Sequence, residues 1–542
     1  MPTLKIDGKD IAVPAGTSII EAAKKAGTFI PHYCYHPGLS VAGNCRMCLV
    51  EVEKSPKLQI SCFIPVADGM VVHTENDRVK EAREAVLEFL LVNHPLDCPV
   101  CDQSGECELQ NYYMNYGLYE SRLFEDKVKK EKVVPIGPTV MLDGERCVLC
   151  SRCVRFCDEV TGTHEMGIVN RGDHAEITVA PGKELDNAYS GNTVDICPVG
   201  ALTDRDFRFK CRVWFLEKTS SICPGCSRGC NIEIHWNKER PYQTPNERVM
   251  RLKPRVNPEV NQWWICDEGR YNYHFIDQNR VLYPMKNNGK DLVQASWQEV
   301  MEEGSWVMKE LQNTAVIVST DVTLEDLWIA KELFIHKLGI QTIAYLPTKK
   351  SGEEDHLLRK SDKTPNTKGA QALGFEAKAN EIFSLAEAGK IKTLILFGHN
   401  LIDLLGKERA QKIAEKVDSM VWIGSNQHEG MNLAKWIIPS SVYAEKDGTF
   451  MNYEGRVQRI FKAFPALGES KAEWQILKEW AQHIGINLPY ENSSVIFEKM
   501  VQAESAFNGM SYQKLGEEGV LLNDSKDEGR GTMDDGRKKH VL

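Results

Sequence analysis

The sequence predicts a multidomain protein, with α+β domains in its N-terminal half and one α/β domain in its C-terminal half. Its 542 residues are enough for about three or four domains. All 17 cysteines lie between Cys34 and Cys266, so the two halves differ in composition. Short apolar runs that alternate with helical segments begin only at about residue 275, and such alternation is typical of a largely parallel sheet.

Composition excludes several classes of protein. The formal net charge of -10 argues against a general nucleic-acid-binding protein, because such a protein needs a surplus of Lys and Arg to neutralise phosphates. No run of about 18 apolar residues is present, so we expect no membrane-spanning helix. The first residues lack the pattern of a signal peptide, which favours a reducing cytoplasm in which disulfides are rare. We therefore expect most of the 17 thiols to bind metal.

Residues 1–80 predict a small sheet packed on one helix. Thr3–Ile6 and Asp10–Val13 alternate in polarity on either side of a turn, as in a β-hairpin. Ser18 and Glu21 have the spacing of a capping box, and Gly27 marks the end of the helix that they begin. A loop with cysteines follows, and this layout suits a ferredoxin-like domain.

The next segment predicts one helix and then little regular structure. Asp77–Asn93 has helical periodicity, and its apolar face carries Val79, Ala82, Val86, Phe89 and Leu90. Residues 94–270 contain scattered Pro and Gly without long periodicity. Such a segment needs something other than a large apolar core, and we expect bound metal clusters to supply folding energy there.

The cysteine-free half predicts the α/β domain. Four short apolar runs are expected to be strands: Ala315–Ser319, Thr342–Leu346, Thr393–Phe397 and Ser419–Ile423. Three amphipathic segments are expected to be helices: Leu324–Leu338, Lys407–Val417 and Glu473–Ile484. Asp524–Lys539 is charged and has few apolar residues, so it is expected to be a mobile tail.

The first candidate ligand set has the pattern C-x10-C-x2-C-x13-C and comprises Cys34, Cys45, Cys48 and Cys62. Its central pair follows a loop with Gly43, which leaves backbone N–H groups free to point at sulfide. Four thiolates suit a 2Fe–2S cluster, although the plant-type spacing differs. A zinc site with four thiolates is the alternative.

The second set comprises His94, Cys98, Cys101 and Cys107. One imidazole and three thiolates can bind either zinc or a 4Fe–4S cluster, and the spacing alone does not distinguish the two.

The third set comprises Cys147, Cys150 and Cys153, with Cys197 before a proline far downstream. Three cysteines at this spacing and a distant Cys-Pro are typical of a 4Fe–4S cluster. Cys157 would complete a bacterial ferredoxin run, but Asp158 rather than Pro follows it. We therefore interpret Cys157 as a residue that does not bind the cluster.

The fourth set comprises Cys223, Cys226, Cys230 and Cys266, which fit a 4Fe–4S cluster or, alternatively, zinc. Cys211 belongs to no set and is expected to be a small buried apolar residue. Four closely spaced sites favour an electron conduit, because iron–sulfur clusters exchange single electrons with little rearrangement.

These motifs resemble those of the large iron–sulfur subunits of bacterial NADH-quinone oxidoreductase, respiratory complex I, over nearly the whole chain. In the N-terminal half the resemblance is carried by residues 31–34 (PHYC), 43–48 (GNCRMC), 93–102 (NHPLDCPVCD), 105–110 (GECELQ), 146–150 (RCVLC) and 195–202 (DICPVGAL). In the C-terminal half it is carried by residues 448–452 (GTFMN) and 454–458 (EGRVQ).

The resemblance implies a domain order. The expected segments are a β-grasp 2Fe–2S ferredoxin-like domain (1–80), a His-ligated 4Fe–4S domain (81–125), a loop-rich 4Fe–4S ferredoxin-like domain (126–215), a 4Fe–4S domain of the molybdopterin-oxidoreductase type (216–272), an α/β molybdopterin-oxidoreductase-like domain (273–510) and a partly disordered tail (511–542).

The resemblance also assigns a cluster to each set. The Cys34 set would hold the 2Fe–2S cluster, and the His94 set a 4Fe–4S cluster between the other two core clusters. The Cys147 set would hold the 4Fe–4S cluster on the exit side. The Cys223 set would hold a further 4Fe–4S cluster that only some members have and that is thought to lie off the main path. One 2Fe–2S and three 4Fe–4S clusters are therefore expected, without a catalytic residue.

The expected partners follow from the same resemblance. Electrons would arrive from a flavin-bearing subunit that oxidises NADH and would leave to a membrane-proximal iron–sulfur subunit, so this chain would bind neither flavin nor quinone. It would contact other subunits of the complex I peripheral arm, on the cytoplasmic side of the inner (cell) membrane, without spanning it or binding nucleic acid.

The cysteine-free half resembles a molybdopterin oxidoreductase domain that has lost its cofactor, so no molybdopterin is expected. Related formate dehydrogenases carry a Lys shortly after the last cluster cysteine, whereas Asp267, Glu268 and Gly269 follow Cys266 here. The chain also looks short of the final domain that closes over the pterin. A catalytic formate dehydrogenase is the alternative, with Ser or Asp as a molybdenum ligand. An iron hydrogenase would need further cysteines in the C-terminal half, and a zinc-rich assembly module would need four zinc ions.

Overall fold

The computed structural model describes residues 1–244, 246–307 and 311–522. They fall into two units. The N-terminal unit comprises Met1–Leu216, Asn237–Thr244 and Trp264–Arg270, and the C-terminal unit comprises the other described residues. The predicted tail at Asp524–Lys539 lies outside the described residues.

A five-stranded mixed sheet forms the start of the N-terminal unit. In spatial order its strands are Lys9–Ala12, Thr3–Ile6, Val71–His73, Leu49–Val52 and Gln59–Ile60. Thr3–Ile6 pairs antiparallel with its hairpin partner and parallel with Val71–His73. The buried face of helix Ile19–Lys25 packs on this sheet, and Gly27, at φ 75°, ends the helix as predicted. The sheet and helix confirm the predicted ferredoxin-like layout.

Two local predictions for this region are wrong. The Ser18 side chain makes no capping hydrogen bond, and the Glu21 carboxylate instead accepts a hydrogen bond of 2.6 Å from the Tyr35 hydroxyl. In helix Asp77–Leu91 the Phe89 side chain is 80% exposed. The buried face of that helix carries Val79, Arg83 and Leu87, spaced four residues apart.

The rest of the N-terminal unit consists of short elements joined by loops, as predicted. Its helices are Asp77–Leu91, Glu108–Tyr116, Arg152–Arg155 and Asn192–Asp195, the helix Asp267–Tyr271 begins in it, and a π-helical turn covers Phe156–Val160. Its strands are Val134–Pro135, Val140–Leu142 and Leu202–Asp204 in one sheet, and Met166–Val169 and Glu176–Val179 in a two-stranded ribbon.

A seven-stranded sheet is the centre of the C-terminal unit. In spatial order its strands are Leu292–Gln294, Met285–Asn287, Trp436–Pro439, Ser419–Gly424, Thr393–Phe397, Thr314–Ser319 and Ile343–Leu346. The last five pair in parallel, whereas Met285–Asn287 pairs antiparallel with both of its neighbours. Separate apolar clusters cover the two faces, which confirms the predicted α/β domain with a largely parallel sheet.

Helices and two smaller sheets complete this unit. The helices are Trp297–Val307, Leu324–Ala330, Thr367–Ala372, Ala379–Glu387, Leu401–Leu405, Lys407–Lys416, Glu473–His483, Ser493–Ala503 and Tyr512–Leu515, and a π-helical segment covers Lys331–Lys337. One small sheet contains Leu216–Ile222, Asn231–Asn237 and Val249–Pro254, and the other contains Gly448–Met451, Arg456–Ile460 and Val520–Leu521. In the described part of the chain, no helix is long and apolar enough to cross a membrane.

Candidate metal centres

All 17 cysteines lie within the described residues, and none of them forms a disulfide in that part of the chain. This agrees with the expectation that the chain does not use them for disulfides. Among the described residues, no group of three His, Cys, Asp or Glu side chains has the geometry to hold a single metal ion.

The structure brings the four cysteines of the first set together. Cys34, Cys48 and Cys62 are each 1% exposed, and Cys45 is half-buried. The Cys34 thiol lies within hydrogen-bonding reach of the Cys45 and Cys62 thiols, and the Cys48 thiol lies within reach of Cys62. These contacts lower the pKa of Cys34 and lower that of Cys48 to about 7, and they raise the pKa of Cys45 and of Cys62.

The loop before the central pair directs backbone amides at this set. Gly43 (φ 59°) and Arg46 (φ 63°) adopt left-handed conformations that turn the loop. The N–H groups of Asn44 and Cys45 point at the Cys34 sulfur, where they lower the pKa of that thiol. Amides in this arrangement stabilise an anionic cluster, so the loop geometry is as the sequence predicts.

The three cysteines of the second set interact with one another electrostatically. Cys101 is buried, Cys107 is half-buried and Cys98 is exposed. Cys107 directly precedes helix Glu108–Tyr116, and amides of its first turn donate to the Cys107 sulfur. Burial nevertheless raises the pKa of Cys107 to about 11, so this thiol needs a nearby cation to ionise at pH 7.

His94 is in a state that suits a metal ligand. Burial, followed by the guanidinium of Arg146, lowers the pKa of His94 to about 4. The imidazole is therefore neutral at pH 7 and has a lone pair for a metal. The charges that act on it most strongly come from Arg146, Lys127 and Asp97, so its membership of the second set remains a prediction.

The third set lines one cavity. Cys147, Cys150, Cys153 and Cys197 all contribute to its wall, together with Val148, Ile177, Val199 and Leu202. Burial raises the pKa of Cys147 and Cys150 to about 12 and that of Cys197 to about 11. Two buried and two half-buried thiols around a mainly apolar cavity fit a cluster whose iron atoms supply the missing positive charge.

The two cysteines that the sequence left outside the sets are both buried. Cys157 is fully buried on the π-helical turn Phe156–Val160 and does not line the cavity of the third set. Cys211 is 8% exposed, as expected for a small buried residue.

The fourth set is divided between the two units. Cys223, Cys226 and Cys230 are buried in the C-terminal unit, where the Cys223 amide donates to the Cys230 carbonyl at 2.8 Å. Cys266 is buried in the N-terminal unit, and its sulfur accepts a hydrogen bond of 3.3 Å from the Gly269 amide. Their combination into one site remains a prediction.

The first three sets share one packed cluster of side chains within the N-terminal unit. Its buried members are Tyr33, Cys34, Met47, Leu87, Leu109, Tyr112, Cys150, Val199 and Ala201, and Cys45, Cys107, Cys147, Val148 and Cys197 are among the residues that pack against it. At least one cysteine of each set therefore contacts the same apolar core.

Specific contacts join the third set to each of the other two. The Arg155 guanidinium donates to the carbonyls of Cys34, at 2.5 Å, and Cys150, at 3.4 Å. The loop after Cys197 approaches the second set, because a Cβ added at Gly200 would lie only 2.2 Å from the Cys101 sulfur.

The sequence did not assign a role to several residues that lie between the sets, among them Gly200, Arg146 and Tyr33. Gly200 follows the cluster motif at Cys197, and Arg146 precedes Cys147, so both stand in segments that already carried a signal. Tyr33, which precedes Cys34, is fully buried among the sets. Their positions relative to the thiols depend on how the loops fold, which spacing does not reveal.

Five family models match successive parts of the chain. They are described as a 2Fe-2S iron-sulfur cluster binding domain (residues 1–77), an NADH-ubiquinone oxidoreductase-G iron-sulfur binding region (83–122), an NADH-quinone oxidoreductase subunit 3, ferredoxin-like domain (137–203), a molybdopterin oxidoreductase Fe4S4 domain (216–278) and a molybdopterin oxidoreductase (362–483). The N-terminal unit thus matches domains that bind 2Fe–2S and 4Fe–4S clusters.

Curated relatives are also named as subunits of NADH oxidoreductases. The chain is 44% identical over 342 residues to the G subunit of the NADH-quinone oxidoreductase of Rickettsia felis, a match that covers 62% of this chain and 49% of the relative. It is 32% identical over 607 residues to the mitochondrial NADH-ubiquinone oxidoreductase 78 kDa subunit of Candida albicans, covering 90% of this chain and 83% of the relative. The match spans about half the length of the Rickettsia relatives.

One solved structure that is similar to part of this chain is that of a NAD+-reducing NiFe hydrogenase in the H2-reduced state. It is 31% identical to this chain, with a TM-score of 0.36, and the match covers 39% of this chain and 91% of the hydrogenase chain.

Proposed function

The chain belongs to the family of the large iron–sulfur subunits of NADH-quinone oxidoreductase, which includes the 75 and 78 kDa subunits of NADH-ubiquinone oxidoreductase, and we propose that it is an electron-relay subunit of NADH:quinone oxidoreductase. In this role it carries electrons from NADH oxidation toward quinone. It neither oxidises NADH nor reduces quinone itself.

We assign the ligands as the sequence predicts. The first set (Cys34, Cys45, Cys48, Cys62) holds a 2Fe–2S cluster, and the second (His94, Cys98, Cys101, Cys107), third (Cys147, Cys150, Cys153, Cys197) and fourth (Cys223, Cys226, Cys230, Cys266) each hold a 4Fe–4S cluster. Bound clusters supply one-electron redox chemistry. The protein holds their ligands, sets their electrostatic surroundings and excludes water.

The observation that carries this proposal is the packed core shared by the first three sets. Three separate structural zinc sites would have no need of a common core. A relay does need one, because its redox centres have to stay close together and dry.

The contacts favour one order of the sets. The third set contacts the first through Arg155 and the second through Gly200. We therefore place the Cys147 set in the middle of the relay, and the His94 set, whose Cys98 is exposed, toward a partner. This differs from the order that the sequence resemblance implied, in which the His94 set is in the middle.

The proposed partners follow from the role. One is a flavin-bearing subunit that oxidises NADH, and another is a membrane-proximal iron–sulfur subunit. As part of such a complex, the chain lies peripherally on the cytoplasmic side of the membrane.

We do not propose a catalytic formate dehydrogenase. The relatives that match most of the chain are named as subunits of NADH oxidoreductases. The Asp267 carboxylate, just after Cys266, accepts hydrogen bonds from the Ser190 hydroxyl at 2.6 Å and from the Gly191 amide at 3.0 Å. The residue at this position therefore anchors a neighbouring loop, and we propose that no molybdopterin binds.

The test is low-temperature EPR of the reduced, purified chain with iron and molybdenum counted. We expect signals of one 2Fe–2S and several 4Fe–4S clusters, and no molybdenum. Zinc in place of iron, or stoichiometric molybdenum, would reject the proposal.

A single variant, His94→Ala, tests the role of the chain within the complex. His94→Ala should lose or alter one 4Fe–4S signal and reduce electron flow from NADH to quinone. Oxidation of NADH with an artificial acceptor at the flavin subunit should persist. Full quinone reduction in this variant would remove His94 from the relay.

A further inference from the structure

Arg152 is a buried cation that lies where the first three ligand sets approach one another. It is the first residue of the short helix Arg152–Arg155, and it is only 5% exposed. Arginine is rarely buried to this extent, because taking a charge out of water is unfavourable unless other groups compensate for it. The groups around its guanidinium therefore indicate the role of this charge.

The guanidinium lies close to a neighbour of a ligand from each of the three sets. It donates hydrogen bonds to the carbonyls of Ile196, at 3.0 Å, and of Tyr35, at 2.6 Å. Ile196 directly precedes a cysteine of the third set, and Tyr35 directly follows a cysteine of the first. A carboxylate oxygen of Glu108, which directly follows a cysteine of the second set, lies 3.9 Å from the guanidinium. Two main-chain carbonyls therefore fix the charge in place beside one carboxylate.

The protein compensates for this charge only in part. The Glu108 oxygen that faces it accepts no hydrogen bond, and among the described residues no other carboxylate forms an ion pair with Arg152. The Nε–H group of Arg152 is also buried without a hydrogen-bond partner. A buried cation with an unused donor is unfavourable unless an anionic group is close to it. Arg152 also lines the cavity of the third set, so a cluster in that cavity would supply the missing negative charge.

We propose that Arg152 raises the reduction potential of the cluster that the third set holds, because it places a fixed positive charge beside that cluster. This rests on the proposed function. The potential of a 4Fe–4S cluster depends on its net charge and on the groups around it. One electron enters the cluster on reduction and makes it more negative, so a buried cation stabilises the reduced state more than the oxidised state. No proton moves, because the guanidinium stays protonated in both states. Arg152 acts through its charge and is not a ligand.

Two substitutions separate the charge of Arg152 from its hydrogen bonds. Arg152→Gln removes the charge and keeps a side-chain amide as a donor. Arg152→Lys keeps the charge and loses the planar fork of donors. Arg122→Gln is the matched control for the loss of a positive charge, because the Arg122 side chain is 71% exposed and pairs with Glu88, so that water screens its charge.

The experiment is a redox titration of the full-length chain followed by EPR, for wild type and these three variants. The signal of the third set is identified by its loss or change in Cys153→Ser. In Arg152→Gln we expect this signal at a lower potential, with about a tenfold smaller ratio of reduced to oxidised cluster at a given potential, which is ~59 mV for one electron. Arg152→Lys should keep most of the wild-type potential, and Arg122→Gln should behave as wild type does.

Several results would overturn the proposal. They are an unchanged midpoint of the third-set signal in Arg152→Gln, an equal shift in Arg152→Lys, which would assign the effect to the hydrogen bonds, and an equal shift in Arg122→Gln. If Arg152→Gln does not retain iron, Arg152→Lys decides. Iron and a midpoint close to those of wild type in Arg152→Lys support the proposal, and loss of either rejects it. Absence of iron–sulfur signals in wild type would instead reject the proposed function.

Discussion

Gly200→Ala should disrupt the second ligand set through a single methyl group. A Cβ at this position would lie 2.2 Å from the Cys101 sulfur, 3.1 Å from the Gln103 Cβ and 3.7 Å from the Arg146 Cδ. Ordinary van der Waals contact begins at 3.4 Å, so the sulfur has to move by about 1 Å. Metal–ligand distances tolerate only about 0.2 Å, and overpacking of this kind costs roughly 1–3 kcal/mol. We therefore expect the variant to lose about four iron atoms per chain, those of one 4Fe–4S cluster.

The assay is the iron content of the purified chain together with its EPR spectrum and its thermal unfolding midpoint. Gly167→Ala is the matched control, because a Cβ at Gly167 meets nothing within 4 Å and its backbone does not require glycine. Gly167→Ala should keep the wild-type iron content. Wild-type iron and EPR signals in Gly200→Ala would refute the packing of this loop against Cys101.

Three further changes test other parts of the structure. Cys157→Ser should leave the iron content unchanged, since Cys157 does not line the cavity of the third set, and a loss of about four irons would show that it is a ligand. Burial lowers the pKa of His399 to about 4, so as the pH falls the unfolded chain takes up a proton on this residue before the folded chain does. The contribution of the neutral imidazole to stability is therefore complete above pH 6.5 and is lost as the pH falls toward 4. His399→Gln should therefore lose about 2 kcal/mol less stability than wild type between pH 7.5 and pH 5 in urea unfolding, and equal losses would contradict this. Lys446→Met should cost about 3–5 kcal/mol in the same assay at pH 7, because it leaves the buried Asp326 and Glu473 carboxylates without their cation; a loss below about 1 kcal/mol would show that they are not ionised together.

The sequence was most informative where buried strands are continuous and apolar. The predicted strand at Thr393–Phe397 has the same bounds in the structure, and that at Ser419–Ile423 extends by one residue. Strands covered on both faces are read as uninterrupted runs, so few alternatives compete. Side-chain detail was less predictable. Glu21 had the right spacing for a cap, but Tyr35, from a loop 14 residues away, makes the hydrogen bond to it instead.

Spacing along the chain indicated which cysteines would lie together, and their assignment as cluster ligands stays a prediction. The Cys34 and Cys147 sets gather as expected, around mutual thiol contacts and a shared cavity. The arrangement of one set relative to another could not be predicted, because it is determined by long-range loop contacts. Arg155, for example, donates to Cys34, which is 121 residues away in the sequence.

Arg146 shows how one side chain can serve two sets at once. Its backbone precedes Cys147 of the third set, but its guanidinium, 5% exposed, pairs with Asp97 at 2.9 Å and acts on residues of the second set. There it helps to lower the pKa of His94, and it opposes the effect of burial on the pKa of the Cys101 thiol. A fixed positive charge at this point favours a thiolate and a neutral imidazole together, which is the combination that a cluster with three cysteines and one histidine requires. The segment that carries the third set thus helps to prepare the second set electrostatically, so assembly of the second site is expected to depend on Arg146.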